Sequence, residues 1–115
     1  MNSYVYLYKG EHMYGLTGKL LAQPGKRAEF VEILLRAADT VGQMPGCHLY
    51  LVNEDLSDDV TIWVMEVWED QAAHDASLKD ERVRSQIAAA MPLMGEAPSG
   101  RVLKVIGGHG LKVKP

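Results

Sequence analysis

Apolar residues fill almost every position from Val60 to Trp68, so a strand written in period two would be hydrophobic on both faces. Trp63, Met65 and Val67 fall on one face and Ile62, Val64 and Trp68 on the other. Glu66 interrupts one of these faces, and a carboxylate there must find a partner or reach the rim. The run passes directly into helical spacing. Asp70 can cap a short helix over about Gln71 to Leu78, since its carboxylate can accept the unpaired amides of the first turn. Asp80 can cap another over about Glu81 to Met91, with Val83, Ile87, Ala90 and Met94 keeping helical spacing past Pro92.

Upstream, Met13 to Ala22 reads as a first strand. Gly15 and Gly18 lie inside it, where glycine marks a bulge or a pocket floor. Gln23-Pro24-Gly25 turns the chain into a helix from about Lys26 to Val41, whose apolar face carries Phe30, Leu34, Ala37 and Val41. Pro45-Gly46 ends that connection, a second strand runs from about Cys47 to Asn53, and Asp55 to Asp59 is a hairpin loop. Gly95 to Gly100 reads as a loop, and Arg101 to Gly107 as the fourth strand.

This order is the split βαβ pattern of an α+β, ferredoxin-like fold, with a four-stranded antiparallel sheet and helices on one face. Because the third strand is apolar on both faces, the uncovered face needs a second cover. A second copy of the same sheet supplies it most simply, which predicts a homodimer built by sheet-to-sheet packing into an α+β barrel. Residues 1–12, with Tyr4, Tyr6 and Tyr8 alternating, read as an added strand or arm, or as a tail without a role. The domain is expected over residues 13–110, followed by a tail at 111–115.

Composition narrows the function more by exclusion than by assignment. A chain of 115 residues has room for one core, and its formal charge of -3 comes with scattered lysines and arginines, so no nucleic-acid partner is expected. The acidic run between Glu54 and Glu81 reads as a solvated face. One cysteine, Cys47, allows no internal disulfide and too few thiolates for structural zinc; it reads as a small buried hydrophobe in a cytoplasmic protein. No apolar run approaches the roughly 20 residues that span a bilayer, so a soluble protein with no membrane partner is expected.

Any chemistry must therefore use modest equipment. His74 is the candidate general base, with an ordinary pKa near 6.5 that puts it within reach of neutral pH; otherwise it is a helix histidine bonded to Ser77 or Asp70. Ser77 could orient a substrate hydroxyl or simply bond back to helix carbonyls. Trp68 could wall a pocket and stack on an aromatic ring, or pack in the core. Arg82, with Arg84, could neutralise a bound anion at a helix start, or lie on the surface. His48 and His109 have no metal-ligand spacing, and His12 belongs to the extension. Met44, Met65, Met91 and Met94 are expected in the core, where two of them could line an adaptable pocket. Gly107-Gly108-His109-Gly110 lacks the strand-to-helix setting of a dinucleotide loop.

Three segments carry a resemblance: Gly18 to Phe30 with its Gln23-Pro24-Gly25 turn, Pro45-Gly46-Cys47, and Glu66-Val67-Trp68-Glu69-Asp70-Gln71-Ala72-Ala73 leading into a helix. In this order they resemble the antibiotic biosynthesis monooxygenase family of small dimeric α+β barrel proteins, over Met13 to about Ile106. The resemblance implies oxidation of a small phenolic or quinol-like aromatic molecule by dioxygen without metal, flavin or haem. It also places the pocket between the sheet and the helices. Many relatives carry a histidine nine positions beyond the tryptophan that matches Trp68. Here that position is Ser77, and His74 stands three residues earlier, on roughly the same helix face. Haem-degrading relatives use an asparagine, a tryptophan and a histidine where Gly18, Ser77 or Leu78, and Ala88 stand, which argues against haem breakdown. Two other readings use the same pocket: a non-catalytic binder of a small aromatic molecule, and an isomerase in which His74 moves a proton without oxygen.

Overall fold

The computed structural model describes residues 12–111. Its elements are β1 (Met13–Ala22), α1 (Arg27–Gly42), β2 (Cys47–Glu54), β3 (Thr61–Trp68), α2 (Gln71–Ser77), α3 (Glu81–Ala90), a 3₁₀ turn at Met91–Leu93 and β4 (Met94–Val105). The strands form one antiparallel sheet in the order β2-β3-β1-β4, which is the ferredoxin-like arrangement. The reading of residues 1–12 as an arm falls almost wholly outside the described residues, as does most of the tail. No helix among the described residues is long and apolar enough to cross a membrane.

Strand register sorts the side chains. Trp68, Glu66, Val64 and Ile62 pair across β1 with Tyr14, Leu16, Gly18 and Leu20, and all of these share the face that the helices cover. On the β2 side the same face receives Cys47, Tyr50 and Val52. Phe30, Ile33 and Leu34 of α1 close over Ile62 and Val64, together with Ala90 and Leu93. A second cluster joins Val41, Cys47, Trp68 and Val83. Full burial of such large side chains contributes roughly 1.5–3 kcal/mol each, so Phe30, Ile62 and Trp68 anchor the layer.

Both expected caps form. Asp70 accepts from the Ala73 amide at 2.8 Å, and Asp80 accepts from the Arg82 and Val83 amides at 2.8 and 3.4 Å. Other members of the acidic run organise the β2–β3 hairpin. Asp55 accepts from Ser57 and from Trp63 Nε1, and these bonds hold its carboxyl down at about 2. Gly46 has φ +85°, a conformation that disfavours L side chains, and an added Cβ would lie 2.7 Å from Ala73 Cβ. That close approach, with the Glu69 amide donating to the Gly46 carbonyl at 2.7 Å, seats α2 over the end of β3.

Three expectations are corrected. Gly95 to Gly100 is not a loop, because β4 begins at Met94 and pairs with β1 along its length. The glycines permit this: a Cβ on Gly100 would sit 2.5 Å from the Thr17 carbonyl oxygen, and one on Gly95 3.0 Å from that of Ala22. Pro98 is tolerated because β4 is an edge strand, where a missing ladder donor matters little. Helical spacing also does not continue to Met94, since α3 stops at Ala90 and Pro92 sits in the 3₁₀ turn. Finally, Met65 and Met91 are 37% and 59% exposed rather than core residues.

The other sheet face stays open. Leu51, Met65 and Leu103 are 45%, 37% and 46% exposed on it. Trp63, on the same face, has its indole N–H bonded to Asp55 at 2.7 Å and Lys19 over its ring.

Candidate functional site

Between the covered sheet face and the helices lies a cavity of about 290 Å³. Most of its wall is apolar: Leu20, Phe30, Leu34, Val41, Ile87 and Met94 from four elements. Glu66, Tyr50, His74, Ser77 and Gln86 supply the polar groups. A largely apolar pocket with a few convergent polar side chains is the usual form of a small-molecule site.

His74 and Ser77 stand almost one turn apart on α2, and both line the cavity. The His74 side chain is only 14% exposed. Its ring packs edge-on against Trp68, with centroids 5.8 Å apart, and tilted against Tyr14 at 5.5 Å. Nδ1 lies 3.1 Å from Asp75 Oδ1. In the tautomer that donates from Nδ1 to this carboxylate, Nε2 keeps its basic lone pair. Ser77 is 4% exposed, and its hydroxyl donates to the His74 carbonyl oxygen at 2.6 Å. It therefore supports the helix turn that carries His74 and has one oxygen left only as an acceptor.

The structure places the other two candidates elsewhere. Trp68 is 0% exposed and lies beneath His74, outside the cavity lining. Its polar contact is through the indole N–H, which donates to Glu66 Oε1 at 2.9 Å. Arg82 lies outside the lining too, with its side chain 60% exposed. Its Nε and guanidinium NH2 donate to Asp80 at 3.1 and 3.0 Å, which ties it to the carboxylate that caps α3.

Glu66 is the group that sequence spacing left unassigned. Register sets it between Leu16 of β1 and Tyr50 of β2, on the floor of the cavity. Burial pushes its carboxyl above the ordinary carboxylate range, while the Trp68 bond and the nearby His74 pull it partly back. Tyr50 is pushed well above its ordinary value by burial first, then by Glu66 and Cys47, so its hydroxyl stays protonated. Gln86 was the other silent residue. Its Nε2 donates to Thr40 Oγ1 at 3.0 Å, and its buried Oε1 has no hydrogen-bond partner among the described residues. The Thr40 hydroxyl itself donates to the Arg36 carbonyl, which leaves it an acceptor and fixes this amide orientation. A polar residue at each buried position, on the apolar stripes Ile62-Val64-Glu66-Trp68 and Val83-Gln86-Ala90, was the available signal.

Among the described residues no group of three or more His, Cys, Asp or Glu side chains converges as metal ligands would. His48 binds Glu69 at 2.7 Å away from the cavity.

A family model described as antibiotic biosynthesis monooxygenase matches residues 13–89. A candidate monooxygenase of that description from Chloroflexus aurantiacus J-10-fl has a solved structure with 40% identity and a TM-score of 0.79, over 86% of this chain and 98% of its own. Another, from Caulobacter crescentus CB15, shares 27% identity at a TM-score of 0.78, over 84% and 92% of the two chains. SnoaB, a cofactor-independent oxygenase from Streptomyces nogalater, shares the fold at 16% identity and a TM-score of 0.74, over 84% of this chain and 96% of its own. Comparison with curated proteins found no match.

Proposed function

The chain belongs to the antibiotic biosynthesis monooxygenase family, and on that footing we propose that it oxidises a small phenolic or quinol-like molecule with dioxygen in the cavity between sheet and helices. The observation that carries this reading is the apolar cavity of about 290 Å³ with His74 and Glu66 on its wall. An electron-rich phenol becomes a reductant of dioxygen once its hydroxyl proton is removed, so the protein must take a proton, hold the anion and keep water away. His74 takes the proton at Nε2, with Asp75 beside Nδ1 to favour the imidazolium that results. In the balanced reaction one oxygen atom replaces a ring hydrogen and becomes a carbonyl, and the other leaves as water with the two hydrogens lost by the substrate. The cofactor-independent oxygenase on the same fold supports this economy of equipment.

The open sheet face supports self-association. Leu51, Met65 and Leu103 form an apolar surface, which a second copy covers by isologous packing in the homodimer of this reading. Arg82 belongs to the α3 cap here rather than to the substrate contacts.

The test is oxygen uptake by metal-free protein offered a panel of hydroquinones, polyphenols and fused-ring phenols, beside His74→Ala. Uptake above the blank, sharply reduced in the variant, is the expected result. Uptake equal to a protein-free blank across the panel sinks the monooxygenase reading. Thermal stabilisation by a panel member without turnover would instead favour a binding protein.

A further inference from the structure

The oxygenation just described removes two hydrogens from its substrate, one from oxygen and one from carbon, and His74 accounts for the first only. We propose that Glu66 is the second proton carrier, taking the carbon-bound proton as the substrate peroxide collapses; this rests on the monooxygenase reading. Glu66 is the sole carboxylate among the described residues that line the cavity. One oxygen, Oε1, is held by the Trp68 indole N–H at 2.9 Å, and Oε2 accepts no hydrogen bond among the described residues. An anchored carboxylate with one oxygen uncommitted is positioned to accept a proton from a bound ring.

The surroundings keep it reactive. Leu16 flanks it from β1, Tyr50 from β2, His74 from α2 and Gln86 from α3, while α1 presents Phe30 and Leu34. Arg101 of β4 shares with Glu66 the lining of a neighbouring groove. Burial disfavours the ionised carboxylate and so raises its basicity, and the indole bond keeps that form available.

Protons and electrons close as follows. His74 takes the hydroxyl proton, and dioxygen adds to the ring carbon to form a C–O bond and a peroxide anion. The imidazolium returns its proton to the terminal peroxide oxygen. Glu66 Oε2 then takes the proton from the oxygenated carbon, the C–H electrons become the carbonyl π bond, and the O–O bond breaks to release hydroxide. The Glu66 carboxyl protonates that hydroxide to water, which restores both residues.

Glu66→Gln separates the two steps, since Gln keeps an acceptor for the Trp68 N–H but cannot take a proton. General-base catalysis contributes about 10²- to 10⁴-fold, so quinone formation should fall about a hundredfold, with uptake falling far less. Dioxygen consumed should then appear as the organic hydroperoxide of the substrate, read as the ratio of that hydroperoxide to oxygen consumed. Glu66→Asp, a shortened carboxylate, should recover part of the quinone yield. Unchanged quinone yield per oxygen in Glu66→Gln overturns the assignment while leaving the monooxygenase reading intact. Complete loss of oxygen uptake in that variant, with its melting temperature preserved, also overturns it by placing Glu66 in the first step. Absence of uptake by the wild-type protein across the panel overturns both.

Discussion

Replacing Trp68 by Phe keeps an aromatic ring in the core and deletes one donor, the Nε1–H that holds Glu66 at 2.9 Å. Two losses follow, and they respond differently to pH. The smaller ring leaves unfilled space beneath His74, a packing loss that is the same at every pH. The hydrogen bond, in contrast, contributes about 1.5–3 kcal/mol to a charged acceptor and about 0.5–1.5 kcal/mol to a neutral one. Trp68→Phe should therefore destabilise the protein by about 1 kcal/mol more where Glu66 is ionised than where it is protonated. The sign follows from burial, which raises the folded pKa of Glu66. A carboxyl raised on folding contributes stability that is fully present below its unfolded pKa and is lost as pH rises through the folded one. Removing the indole raises the folded value further, so the variant loses more on the alkaline side. Urea unfolding of both proteins at about pH 4 and about pH 8, on either side of an elevated carboxyl, measures the difference at one protein concentration. In a Glu66→Gln background the pH-dependent part should vanish. A Trp68→Phe penalty that is equal at the two pH values in the Glu66 protein would refute the linkage.

Gly100→Ala forces a Cβ to within 2.5 Å of the Thr17 carbonyl and should lower stability by about 1–3 kcal/mol, as overpacking does; an unchanged urea midpoint would show that β4 does not approach β1 so closely. Gln86→Leu removes the buried Oε1 that lacks a partner among the described residues, and thermal unfolding should show a gain of about 1 kcal/mol, whereas a clear loss would mean that the amide is fully satisfied. Leu51→Asp puts a charge on the open apolar face, and light scattering should report dimers for the unaltered protein and monomers for the variant; a monomeric unaltered protein would remove the reason for that face.

Much of the fold was legible along the chain because the signals were local. The alternation in Val60–Trp68, the spacing of Phe30, Leu34, Ala37 and Val41, and the Asp70 and Asp80 caps each depend on residues within a turn or two. The start of β4 was not legible. Gly95, Pro98 and Gly100 carry loop signals in one dimension, and only the close passage of β1 turns those glycines into strand residues.

The site divides along the same line. By itself the sequence determined the element order, the two-sided strand, the α2 helix with His74 and Ser77 on one face, and the presence of a carboxylate in an apolar stripe. Only tertiary structure decided what that carboxylate touches, because β-sheet register joins Glu66 to Leu16 and Tyr50 across long separations in the chain. It likewise buried Trp68 under His74 and turned its N–H toward Glu66, and it left Arg82 on the surface with Asp80. Periodicity assigns a side chain to a face; packing and burial then decide which partner that face meets and how the meeting shifts its chemistry.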